Sequence, residues 1–221
     1  DCAAQVAGVG AAPTLLGLLS SAAPAASRSI ALRLTSELLS SAQGARARLA
    51  AGAAEARCVA LVGASGVAKG WGGGDAARGK EEARLTIDCL CSVNSTDPAA
   101  VQRAVRNTSA MPSIVALTGT DDERARSSAM MLLSSLAPQN AGEVVASGGI
   151  AMLCETLSRG ATDQTLHTLA QLSQSAVHAV AIAQQPGALA TLCSLVGQPH
   201  VRELAISVLS NLCALGALPT D

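Results

Sequence analysis

Self-similarity at a period of about 40 residues constrains this chain more than any other feature, because a repeat of that length is the mark of a stacked architecture. The phrases MPSIVAL at Met111 to Leu117, IAMLC at Ile150 to Cys154 and LATLC at Leu189 to Cys193 share one register, and the step from Ile114 to Leu153 equals the step from Leu153 to Leu192. APTLLGL at Ala12 to Leu18 is an earlier copy, and CVAL at Cys58 to Leu61 a weaker one. A unit of this length is one supersecondary element that cannot bury its apolar face alone, so its copies must stack and share a core.

Each copy is followed by a longer segment with apolar residues at i, i+3, i+4 and i+7, the pattern of a helix with one buried stripe. These segments are Ser27–Ser41, Glu81–Asn94, Glu123–Leu136, Asp163–Ser175 and Val201–Leu215. Before each copy except the first lies a short alanine-rich helix, at Ala45–Ala51, Ala99–Arg106, Ala141–Ala146 and Ala176–Ala183. Pro98, Pro138, Pro186 and Pro199 fall at the joints, where proline can begin a helix but not continue one. The reading is all-α, with five units at 1–42, 43–96, 97–138, 139–175 and 176–216.

Composition narrows the function classes. Hydrophobic residues make up 49% of the 221, but much of that is alanine and no apolar run reaches the ~18 residues a membrane helix needs. With 15 basic against 16 acidic side chains, and neither Tyr nor Phe, the chain has no basic stripe and no stacking platforms for nucleic acid. Its seven cysteines, Cys2, Cys58, Cys89, Cys91, Cys154, Cys193 and Cys213, lie scattered in apolar segments. They read as small buried hydrophobes of a protein kept in a reducing, cytoplasmic compartment, which makes the sequons at Asn94 and Asn107 chance matches. The chain has no initiator Met and no signal peptide, so it is expected to begin after processing or as a fragment.

The run GWGGGDAARGKEE, Gly70 to Glu82, holds the lone tryptophan, Trp71, and comes one residue short of a phosphate-binding loop. Glu81 stands where that loop needs Ser or Thr, and its carboxylate would oppose both phosphate and metal. The stretch from Gly63 to Gly79 is better read as an insertion between the second and third helices of unit two, which explains why the step from Cys58 to Ile114 is longer than the two equal steps that follow it. Trp71 is either an anchor for another protein or folds back on its own solenoid, and the sequence leaves both open. The segment GVGAAP, Gly8 to Pro13, mimics the start of a dinucleotide fingerprint but ends in proline ahead of a repeat helix.

No catalytic constellation emerges. His167, His178 and His200 belong to different helices or joints, and no Cys or His pair has metal-site spacing. Cys89 and Cys91 project about 200° apart on a helix and cannot share an ion. No GxSxG elbow occurs. The expectation is a non-enzymatic protein with no metal and no cofactor.

Three helices per unit, a unit of roughly 40 residues and a glycine before the second helix resemble the armadillo repeat rather than the two-helix HEAT repeat. Its best copy here is GALATLCSLV at Gly187 to Val196 followed by VRELAISVLSNLCAL at Val201 to Leu215. The resemblance implies a right-handed α-α superhelix whose third helices line a concave groove for an extended peptide or partner domain. Aligned on LSNL, Leu209 to Leu212, it implies two groove positions per repeat: Arg33 and Glu37, Asp88 and Ser92, Met131 and Ser135, His167 and Gln171, Ser207 and Asn211. The plain alternative for these ten is a solvated inner face. In the nuclear-import adaptors of the family the two positions carry Trp and Asn; here only Asn211 matches, which argues against a nuclear-localisation-signal receptor.

The resemblance therefore implies a scaffold or adaptor for protein partners, fit to be a subunit of a larger complex such as a ciliary or organellar assembly. RELAISVLSNLCALG at Arg202 to Gly216, with AQQ at Ala183 to Gln185, is also similar to a repeat of the animal armadillo proteins that serve as cullin ubiquitin-ligase substrate adaptors. A substrate-recognition part of such a ligase is the alternative reading.

Overall fold

The computed structural model describes residues 11–19, 22–41, 54–64, 76–160 and 162–217. Among these the period is realised as helices alone: α1 Ala11–Leu18, α2 Ala25–Ser41, α3 Ala54–Ala64, α4 Ala76–Asn94, α5 Pro98–Thr108, α6 Met111–Leu117, α7 Glu123–Ala146, α8 Gly149–Arg159, α9 Asp163–Leu172, α10 Ala176–Ala183, α11 Ala188–Leu195 and α12 Arg202–Ala214. The third helices α2, α4, α7, α9 and α12 pack each on the next. The second helices α1, α3, α6, α8 and α11 each pack on the third helix of their own repeat. First helices α5 and α10 lie against α3 and α8 of the repeat before.

Local chemistry sets the ends of these helices. The Asp97 carboxylate accepts from the Ala100 backbone N–H at 2.9 Å, with Pro98 opening α5. Asp122 accepts from the N–H groups of Arg124 and Ala125, both at 3.0 Å, and Thr162 from that of Thr165 at 3.3 Å. Each cap satisfies donors that have no partner inside the helix. Between first and second helices the chain turns through one residue of positive φ, at Ser109 (50°), Gly148 (78°) and Gly187 (74°). Those three are again evenly spaced, at the same step as Ile114, Leu153 and Leu192. Glycine takes this conformation without a Cβ clash, and repeat three is the copy that holds it with serine.

Two joints differ from the sequence reading. Pro138 does not separate helices: α7 runs past it, and the break comes at Asn140, with φ −127° and ψ 26°. The Asn140 side chain holds the kink by donating from Nδ2 to the Leu136 carbonyl at 2.9 Å and accepting from Arg106 Nε at 2.8 Å. At the glycine-rich insertion, α3 extends to Ala64 and α4 begins at Ala76, so helix enters the expected 63–79 loop from both sides. Trp71 and the helix expected at 45–51 lie outside the described residues.

The core is one continuous cluster that runs through all five repeats. Taking Arg33, Asp88, Met131, His167 and Ser207 as a common origin, the residue two before it is always small and buried: Ala31, Thr86, Ala129, Thr165, Ala205. The residue five after it is always a buried aliphatic: Leu38, Val93, Leu136, Leu172, Leu212. Small side chains let helices approach closely while the aliphatics fill the layer.

The buried cysteines belong to this core. Cys89 is fully covered and donates to the Leu32 carbonyl at 3.2 Å; its hydrogen bond with Cys58, then burial, raise its pKa well above the ordinary thiol range. Burial, then the Asp88 charge, pushes Cys91 up to about 12, and burial pushes Cys154 up to about 11. Since the thiolate is the nucleophile, these groups stay protonated and unreactive near neutral pH. Among the six described cysteines, a maleimide at neutral pH should therefore modify exposed Cys193 and Cys213, and reach Cys58, Cys89, Cys91 and Cys154 only after unfolding; peptide mapping by mass spectrometry reads this out.

Leu133 and Met131 are near neighbours on α7, yet Leu133 is fully buried and Met131 is 51% exposed. Leu133→Asp would bury an unpaired charge at the centre of the stack and should cost upward of about 4 kcal/mol, enough to unfold the array. Met131→Asp should change stability by no more than about 0.5 kcal/mol in a urea titration.

Candidate functional site

The exposed face of the stacked third helices is the candidate site. In each repeat the two predicted groove residues lie one turn apart on α2, α4, α7, α9 and α12. Arg33, Met131, His167 and Ser207 are exposed at the first position, whereas Asp88 is mostly covered. At the second position only Glu37 is exposed; Ser92, Ser135, Gln171 and Asn211 are half-buried. Outside repeat two the first position therefore faces outward, and outside repeat one the second is partly covered.

Side-chain bridges explain that difference. Asn94 Nδ2 on α4 donates to Ser135 Oγ on α7 at 3.0 Å. Asn211 Nδ2 on α12 donates to Ser173 Oγ, just past the end of α9, at 2.9 Å and to the Ala170 carbonyl at 3.3 Å. In both cases the residue six after the origin in one repeat meets the residue four after it in the next, so the same Asn–Ser pair occurs with its polarity exchanged. Between repeats three and four those positions hold Ala137 and Gln171, and the buried Gln171 Oε1 has no hydrogen-bond partner. Between repeats one and two they hold Leu39 and Ser92, and the Ser92 hydroxyl turns back to the Asp88 carbonyl at 3.0 Å.

Charge follows a second recurring register. Arg33 pairs with Glu81, and Asp88 with Arg124 at 3.2 Å; in each the origin residue of one repeat meets the residue seven before the origin of the next. Ser128 Oγ also donates to Asp88 Oδ1 at 2.7 Å, and Cys91 to the Ser128 carbonyl at 3.1 Å. Farther along, the equivalent positions hold Met131 with Gly160 and His167 with His200, residue types that cannot continue the ion pairs. The first half of the face is a ladder of matched charges. The second half presents Met131, His167 and Ser207 without such pairs, and exposed Asp163 and Glu203 stand one turn before His167 and Ser207.

Sequence reasoning named the ten groove residues but missed the side chains that engage them, Asn94, Arg124, Ser128 and Ser173. Their only signal is a polar residue recurring one repeat away from a predicted groove residue. A separate cavity of about 450 Å³ opens beside the ends of α7 and α8, lined by Asp121, Arg126, Met130, Arg159 and Thr162. Its arginines are engaged, Arg126 with the Thr120 carbonyl at 2.9 Å and Arg159 with Glu155 at 2.7 Å. Among the described residues no group of three or more His, Cys, Asp or Glu side chains could hold a metal ion. No described helix is long and apolar enough to cross a membrane.

No family model matches the sequence, and no curated protein matches it. Solved structures do resemble it. An engineered protein superposes with a TM-score of 0.71 at 18% identity over 96% of this chain, which spans 50% of that protein's length. Computationally designed armadillo repeat proteins for modular peptide recognition match with a TM-score of 0.70 at 15% identity over 95% of this chain and 85% of theirs. A designed armadillo repeat protein in complex with peptide (KR)4 matches with a TM-score of 0.66, again at 15% identity over 95% of this chain and 85% of its own. At such identities the likeness establishes the fold, an all-α superhelix of the armadillo type.

Ser173→Ala removes the shorter of the two hydrogen bonds that Asn211 Nδ2 donates and should lower stability by about 1 kcal/mol. Gln171→Met removes an acceptor that has no partner and should cost nothing or stabilise slightly. Urea midpoints of the two variants, compared at equal slope, decide between a working bridge and its vacant counterpart.

Proposed function

We propose that the chain is a non-enzymatic scaffold or adaptor that binds an extended peptide or a partner domain along the exposed face of its third helices. The observation that carries this reading is the row Met131, His167 and Ser207: three successive repeats present an outward side chain from a continuously packed stack. A surface already ordered in the free protein spares the entropy of ordering it on binding. The likeness to proteins designed for peptide recognition supports the same reading.

The chemistry of the row favours a partner that is partly apolar at its centre. Met131 offers a flexible, polarisable thioether surface, and Ser207 and His167 offer hydrogen bonds. The tryptophan-lined slots that would take the lysine stems of a basic peptide have no counterpart in this row, while Asp163 and Glu203 supply acidic groups beside it. Free cysteines, several of them in the core, suit a protein of a reducing compartment and a place within a larger assembly.

Peptides selected against the chain from a display library provide the test. Met131→Glu, His167→Glu and Ser207→Glu lie on exposed positions, so each should weaken the selected binders at least about tenfold, or about 1.4 kcal/mol, without moving the melting midpoint. Binders indifferent to all three, but lost on Val177→Glu at the exposed face of α10, would place recognition on the first helices and sink the groove reading.

A further inference from the structure

We propose that the cavity between repeats three and four is a carboxylate site, in which Arg126 takes the Asp or Glu side chain of a partner segment. The support is internal to the chain, because one register position repeats the same residue. Arg28, Arg126 and Arg202 all stand five residues before the origin of their repeats. Each turns one nitrogen back onto a carbonyl ahead of its own helix, Arg28 onto Ala23, Arg126 onto Thr120 at 2.9 Å and Arg202 onto Val196 at 2.9 Å. Arg28 and Arg126 differ in what the following repeat offers them.

Arg28 forks onto the Glu82 carboxylate of repeat two, with Nε on Oε1 at 2.5 Å and Nη2 on Oε2 at 3.2 Å, and both side chains are largely covered. Glu82 lies six residues before the origin, and Glu81 next to it pairs with Arg33. In repeat four those two positions hold Ala161 and Gly160, which have no carboxylate to offer. Arg126 therefore uses Nη1 alone, and its Nε and Nη2 have no hydrogen-bond partner among the described residues. The cavity of about 450 Å³ is lined by Arg126 from α7 and by Gly160 and Thr162 from the turn into α9, where the missing internal partner would stand.

A guanidinium with one prong tied and two adjacent N–H groups open is matched to a planar carboxylate, which accepts both in parallel. Arg159 adds a second cation to the lining, although its Nη2 is held by Glu155 at 2.7 Å. Asp121 and Glu123 also belong to the lining and are exposed. Their charges oppose a free dianion such as phosphate and attract a cation, so the segment that fits is an acidic anchor with a basic neighbour. Ser127, another lining residue, lies one turn before Met131 on α7. The site thus rests on the reading of the third-helix face as a peptide surface and adds an anchor pocket to it.

Peptides displayed as internal fusions carry only side-chain carboxylates, and those selected against the chain are the probe. An Asp or Glu should recur in them, and its exchange for Asn or Gln should weaken binding at least about tenfold. On Arg126→Gln the same exchange should matter by less than about twofold, the mark of a direct pair. Gly160→Glu is an independent variant, since the backbone there is extended and a Cβ meets nothing within 4 Å. Its carboxylate enters the cavity from the chain itself and should likewise erase the preference for the acidic peptide. Sodium acetate should displace the peptides better than sodium phosphate at equal ionic strength, and the opposite order would overturn the carboxylate assignment. The proposal is also overturned if no acidic residue recurs, or if its exchange costs the same on the unmodified chain and on both variants. Binders lost on Met131→Glu, His167→Glu and Ser207→Glu but indifferent to Arg126→Gln and Gly160→Glu would remove the pocket and leave the groove. Binders with the reverse sensitivities would keep the pocket and remove the groove.

Discussion

Lateral contact between consecutive third helices is the interaction on which the rest of the structure depends. A third helix does not bury its apolar stripe within its own repeat; the stripe of α7 is closed by α4 on one side and α9 on the other, with α6 behind. The column of Ala and Thr two residues before the origin keeps the helix axes close, and the column of Leu and Val five after it fills the gap to the second helices. Burial by aliphatic side chains this small makes each interface modest. Stability therefore accumulates along the array rather than concentrating in one centre.

Polar bridges are laid over this apolar contact and define its rotation. An apolar layer tolerates sliding, whereas a half-buried amide left without a partner costs its desolvation, so Asn94 with Ser135 and Asn211 with Ser173 favour one register at their junctions. The exchange of donor and acceptor between the two pairs shows that geometry, not residue identity, is repeated. Where the geometry meets Ala137 the bridge is lost and the Gln171 acceptor is stranded. Between α7 and α9 that bridge is missing, and the side-chain hydrogen bonds across the junction run instead from α8, Thr156 to the Thr118 carbonyl and Arg159 to the Gly119 carbonyl.

The repeat, the helix triplets of repeats three to five and the apolar columns were legible in the sequence, because the spacing of the repeats and the helical period of the apolar stripe are properties of the chain itself. The joints were less so. Pro138 looked like a stop because proline lacks an N–H, but one turn of α7 absorbs it and the kink comes at Asn140, whose side chain replaces the backbone partner. The candidate site was legible only as positions on a helix. That Asp88 is covered by Arg124 and Ser128, and that Asn211 spends its amide on the repeat before it, follows from how α4 meets α7 and α9 meets α12, which no local pattern encodes.

These bridges also divide the labour along the groove. In repeats three and five the second position is committed to holding neighbours together, so a partner that engaged Asn211 or Ser135 would first have to break a lateral hydrogen bond and offset its loss. The first position carries no such burden in repeats three to five. In repeats one and two it is already neutralised, and displacing Arg33 from Glu81 gains little, since an exposed ion pair is worth under about 1 kcal/mol. Asp88 is held by a hydroxyl and a guanidinium together and is harder to free. Changes at Met131, His167 and Ser207 can consequently alter what the surface binds while leaving the interfaces that hold the array untouched, which is the physical condition for a scaffold whose specificity varies without its fold.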